Sequence, residues 1–127
     1  MMVTQQTLRR LGARAPISAY GAGGFRFGEL RHAGSVAILA SGIYAVDVPM
    51  VDALNAVSLI PWLTGEDAAD FVLLGTGARQ AFPDAATRAA FDAAGIGLEP
   101  MATGAACRTF NVLYAEQRHF AALLIAV

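Results

Sequence analysis

From Phe25 onward the apolar positions fall into short runs separated by glycine and polar clusters. Phe25-Arg-Phe27 alternates, the period of a strand with one face buried. Ser35-Val-Ala-Ile-Leu-Ala40 is a continuous apolar run, which predicts a strand covered on both faces. Ser41-Gly42 marks a turn and Ile43-Tyr-Ala-Val46 the returning strand, so three short strands form a meander. Asp52 to Ile60 has the spacing of a short helix, with Asp52 as N-cap, Leu54 and Val57 inward, Leu59 as a further inward candidate, and Pro61 as its end. Phe71-Val-Leu-Leu74 is a further apolar strand, closed by Gly75-Thr-Gly77. The alanine-rich stretch after Pro83 is the clearest helix. Asp84, Arg88 and Asp92 line one exposed face at i, i+4 spacing, and Gly95 supplies the stop. Gly97 to Met101 predicts a strand that Pro100 confines to an edge or a strand end. Thr103 is the expected N-cap of a helix to about Gln117, with Ala106, Phe110, Leu113 and Tyr114 as its apolar stripe. Phe120 to Ala126 is the closing buried strand.

Strands followed by β-α-β-α-β predict an α/β fold. The expectation is a single three-layer β/β/α domain over 25–127, in which a mixed central sheet carries two main helices on one face and a β-hairpin or meander layer. Residues 1–24 hold Pro16 and Gly21-Ala-Gly-Gly24 without a sustained period, and are expected to be a loosely ordered N-terminal leader.

Composition changes this picture in one respect. Only 15% of residues are charged, against roughly 25% in an ordinary soluble domain. The surface is therefore rich in alanine and glycine, or carries apolar area that a partner covers. All nine basic residues are arginine and the net charge is −1, which excludes the basic face of a nucleic-acid binder. One cysteine, Cys107, excludes an intramolecular disulfide and a cysteine-based zinc cluster, and fits a reducing compartment. His32 and His119 are too isolated for a metal site, and no cofactor is expected. No apolar run reaches the roughly 18–20 residues of a membrane-spanning helix. The arginine-rich, acid-free stretch Thr7-Leu-Arg-Arg-Leu11 has the flavour of an organelle transit segment, but a frayed basic leader on a bacterial protein gives the same pattern and is the preferred reading. A cytoplasmic location is expected, with the mitochondrial matrix as the alternative in a eukaryote.

Chemistry concentrates in two stretches, Val72-Leu-Leu-Gly-Thr-Gly77 and Thr103-Gly-Ala-Ala-Cys-Arg-Thr-Phe-Asn-Val-Leu113. The first superficially matches a dinucleotide-binding turn, with Glu99 downstream, but Gln80 stands where the third glycine belongs. A tight turn at a strand end is the better explanation. In the second, free amides at a helix start favour an anion. The dipole and Arg108 would lower the pKa of Cys107, whereas packing beneath the sheet would leave it an inert buried thiol. Packing is the favoured alternative, since no base stands near it in the sequence. Arg108, Thr109 and Asn111 either line a cleft for a carboxylate or phosphate or satisfy nearby loop carbonyls. The candidate cleft thus comprises Gly75, Thr76, Gly77, Thr103, Cys107, Arg108, Thr109 and Asn111. The acids are scattered, and no catalytic set emerges.

Leu73-Leu-Gly-Thr-Gly77, the Gly95-Ile96…Glu99 strand and Ala105-Ala-Cys-Arg-Thr-Phe-Asn-Val-Leu113, with Glu116 and Arg118, together resemble a family of small domains of unknown function. That family includes the mitochondrial NADH:ubiquinone oxidoreductase (complex I) assembly factor 3 and many stand-alone bacterial chains. The resemblance spans roughly Phe25 to Ile125. It implies a three-layer β/β/α fold and, for the mitochondrial member, a role in respiratory-chain assembly. Its helix motif there lacks an arginine at the position of Arg108, so Thr109, Phe110 and Asn111 carry over better. The resulting expectation is a bacterial, non-catalytic docking module with a protein partner, plausibly a respiratory complex subunit or assembly factor, and with self-association left open. The alternative is a small-molecule or anion binder, or an enzyme, using the cleft between Gly75–Gly77 and the helix start at Thr103–Asn111. Thiol chemistry at Cys107 is a third reading.

Overall fold

A computed structural model describes residues 7–127. Six strands form the central sheet: β1 (Arg9–Gly12), β5 (Val36–Leu39), β6 (Gly42–Ala45), β7 (Phe71–Gly75), β8 (Gly97–Met101) and β9 (Ala121–Leu124). Their order is β1-β6-β5-β9-β7-β8, with β7 parallel to both β8 and β9 and the remaining pairs antiparallel. A second, three-stranded sheet is built from β2 (Ala19–Gly21), β3 (Gly24–Phe27) and β4 (Leu30–Ala33). Three α-helices complete the fold: α1 (Ala56–Leu59), α2 (Ala85–Ala93) and α3 (Thr103–Ala115).

The strands of the sheet centre are apolar at every position, so both of their faces are buried. Alternation sorts these residues into two cores. Ala37, Leu39, Val72, Leu74, Ala121 and Leu123 meet Leu54 and Leu59 around α1 and Phe91 of α2. Val36, Ile38, Leu73, Ala122 and Leu124 meet Ala106, Cys107 and Phe110 of α3, together with Phe25 and Phe27 of the small sheet. The result is a three-layer α/β domain with a mixed central sheet and a second small one, the class expected from the element order.

Within that class one arrangement is corrected: α2 and α3 pack on opposite faces rather than on one. The chain steps outward from β7 to β8 through α2, then back past β7 to β9 through α3. Two right-handed crossovers running in opposite directions must place their helices on opposite sides. The small sheet shares the α3 side.

The leader is corrected as well. Arg9–Gly12 pairs antiparallel with β6 at one edge of the central sheet, and Ala19–Gly21 pairs with β3. Isolated short strands carry no legible period, so pairing with a neighbour, not local pattern, orders them. Residues 1–6 of that stretch lie outside the described residues.

Local signals worked elsewhere to different degrees. Asp84 caps α2, accepting from the Thr87 amide at 2.7 Å, and Gly95 follows the helix at φ 72°. The helix expected from Asp52 begins later, because Asn55 rather than Asp52 provides the cap. Strand β8 runs through Pro100 as an edge strand, where a missing N–H costs no ladder bond. Among the described residues no helix is long and apolar enough to cross a membrane.

Candidate functional site

Strand β7 ends where α3 begins, and the two expected halves of the cleft do meet. Their contact is direct. Thr103 is the first helical residue, not the N-cap, which is Ala102. Its amide donates to the Gly77 carbonyl at 2.9 Å. Its hydroxyl accepts from the Gly77 amide at 3.0 Å and donates to the Ile125 carbonyl at 2.8 Å. The Ile125 amide in turn donates to the Gly75 carbonyl at 2.9 Å. Thr103 is completely buried. A Cβ on Gly75 would stand 3.0 Å from the Thr103 hydroxyl and 3.1 Å from Leu124, so glycine here permits close packing of helix on sheet. Thr76 organises the following turn, donating to the Arg79 carbonyl at 2.7 Å and accepting from the Ala81 amide at 2.9 Å. The hollow expected between Gly75–Gly77 and Thr103 is filled by these bonds.

The next residues of α3 divide between core and surface. Cys107 is buried in the α3-side core. Burial pushes its thiol up to about 12, against a weaker opposing pull from Arg108. Of the two readings of Cys107, the favoured one, packing in the core, agrees with this burial: removal of the thiolate from water outweighs the pull of the Arg108 guanidinium. Arg108 is exposed and Thr109 half-buried. Asn111 accepts from the Ile17 amide at 2.8 Å and donates to the Ile17 carbonyl at 3.0 Å. Both of its amide atoms are thus engaged on one backbone unit, which fastens the segment before the small sheet to α3. This partner was not legible from sequence, because it lies 94 positions away.

Cys107, Arg108 and Asn111 do border one shallow groove of about 260 Å³, whose other wall is Ile17 to Tyr20. Tyr20 crosses the helix start closely; a Cβ on Gly104 would lie 2.6 Å from its hydroxyl. Among the described residues the groove holds one cation, Arg108 at its rim, and no nucleophile–base pair. No group of three or more His, Cys, Asp or Glu side chains able to hold a metal occurs among the described residues.

The profile of a family described as a protein of unknown function, DUF498/DUF598, matches residues 17–125. The chain belongs to that family. An uncharacterised protein of Rhodobacter capsulatus is 30% identical over 119 residues, covering 87% of this chain and 83% of its own length. Among solved structures, one described as an outer membrane protein from Bartonella henselae superposes with a TM-score of 0.83 at 41% identity, covering 93% of this chain and 99% of its own. A Rhodopseudomonas palustris protein gives 0.78 at 33% identity, covering 99% and 93%. The two solved structures share the fold, and the family match on this chain spans both the Gly75–Gly77 turn and α3.

Proposed function

We propose that the protein is a non-catalytic docking module that serves the assembly of a respiratory membrane complex, in the manner of the mitochondrial assembly factor its motifs resemble. The observation that carries this reading is how the motif is spent. Thr103, Cys107 and Phe110 are buried in packing, and Asn111 is tied to Ile17, which leaves no reactive constellation on that helix. The surface meanwhile keeps large apolar side chains in water, Val57 at 82% and Phe82 at 66% of full exposure. Apolar area of this kind on a low-charge surface suits a protein partner.

The test is affinity capture with the tagged chain from its native host, alongside Val57→Asp and Phe82→Asp variants. Respiratory complex subunits or assembly factors are expected with the parent chain and are lost with at least one variant. Recovery of chaperones alone, or of the same proteins from both variants, overturns the reading. Fractionation belongs in the same experiment. We place the protein in the cytoplasm, and the description of the Bartonella relative makes an envelope fraction the contrary outcome.

A further inference from the structure

Opposite the closed start of α3, its far end borders a recess of about 450 Å³ next to the β5–β6 turn. Arg14, Arg118 and His119 line it, with Tyr114 and Gln117 beside them; the Tyr114 hydroxyl donates to the Arg14 carbonyl at 3.5 Å. Among the described residues no carboxylate lines it. In the adjoining loop Asp67 accepts from the amide and the hydroxyl of Ser41, each at 2.8 Å, and the Asp70 amide donates to the His119 carbonyl at 3.2 Å.

Arg14 is held unusually firmly for an arginine. Its guanidinium lies 4.8 Å from the Phe120 ring centre, 5.7 Å from Phe110 and 5.8 Å from Tyr114. One Nη donates to the Phe120 carbonyl at 3.1 Å. Its Nε is buried with no hydrogen-bond partner among the described residues. Aromatic faces offset part of the burial of a cation, but a guanidinium has five N–H donors and among the described residues one is engaged. Burial draws its pKa down, while an arginine still stays charged at neutral pH. Among the described residues no carboxylate meets this half-buried, permanently charged group, which leaves an incomplete pair.

The backbone beside it is strained in a way that shapes the recess. Helix α3 ends in a Schellman motif, the Gln117 amide donating to the Tyr114 carbonyl at 3.1 Å and the Arg118 amide to the Leu113 carbonyl at 3.3 Å. That motif needs a left-handed residue, normally glycine, yet Gln117 occupies it at φ 57°. A side chain is therefore kept where its absence would be easier, and it lines the recess together with Arg118 and His119, the residues that follow the reversal.

We propose that this recess is a binding site for a small oxyanion ligand, a phosphorylated or carboxylated molecule, with Arg14 as the fixed cation and Arg118 and His119 completing the cradle. The planar guanidinium suits two-point contact with phosphate or carboxylate. The site is independent of the docking role proposed above, since neither Val57 nor Phe82 lines the recess.

The experiment is a solution NMR titration of the full chain at constant ionic strength, with inorganic phosphate in one arm and succinate in the other. Saturable shifts are expected at the Arg14 Nε–H signal and at the amides of residues 117–119. Arg118→Gln, a change at an exposed residue, is expected to weaken binding about tenfold, the worth of one charge-assisted bond. Arg88→Gln on α2 is expected to leave the titration unchanged. Saturation by phosphate alone assigns a phosphorylated ligand, and saturation by both admits carboxylates. Shifts that rise linearly without saturation overturn the proposal. So does a titration that Arg118→Gln leaves intact, or one that Arg88→Gln weakens equally.

Discussion

The two ends of α3 solve opposite problems. At its start, small and polar residues sit where an anion cradle is conventionally sought, but they serve contact: Gly75 and Thr103 let helix, turn and β9 lock together. At its finish, the chain reverses through a non-glycine residue beside an under-partnered arginine. Small residues in a loop-to-helix junction thus do not by themselves mark a ligand site. Unpaired charge beside open space is the more telling feature.

The largest expected effect concerns the start. Thr103→Val keeps the side-chain shape but leaves the Ile125 carbonyl and the Gly77 amide without their hydroxyl partner. Destabilisation of about 3 kcal/mol is expected from these orphaned groups, read as a shift in the urea midpoint. A change of a few tenths would mean that water replaces the hydroxyl and that the junction is looser than described.

Next comes Cys107, one turn further on. Its folded pKa, about 12, lies above the ordinary 9.0, so the folded state retains a proton that the unfolded state releases. Stability from this group is complete below pH 9 and is lost as pH rises from there towards 12. At pH 10 the loss is on the order of 1 kcal/mol. Comparing alkaline unfolding of the parent with Cys107→Ala isolates it: the parent should show the steeper decline. Equal slopes, or rapid alkylation of the native thiol at neutral pH, would return Cys107 to the list of reactive groups.

The smallest effect sharpens the finish. Gln117→Gly relieves the left-handed strain, and a gain of about 1 kcal/mol is expected in thermal unfolding. Loss of stability instead would show that the glutamine side chain contributes more to packing than its backbone costs.

Legibility followed the range of the interactions. Strands β5, β7 and β9 and helix α2 were readable because their signals are local: continuous apolar runs, the Asp84 cap and the Gly95 stop. Strand β1 was not, since four residues with two arginines acquire order only from β6. The division of the helices between faces needed the order β9-β7-β8, which no local pattern encodes. For the candidate site, adjacency of the Gly75–Gly77 turn and Thr103 was foreseeable from chain order. Its closure was not, because it depends on the Ile125 carbonyl 22 positions away. Arg14 was hidden for the same reason: it sits in a stretch without pattern, and its aromatic neighbours lie about a hundred positions downstream.

Pro100 occupies one outermost strand of the central sheet, and Arg9 and Arg10 the other. A proline withholds a donor and arginines resist the approach of a like-charged copy, so neither border offers an inviting template for stacking. For a chain whose composition is 56% apolar, that termination on both sides guards against fibre-like growth in concentrated solution.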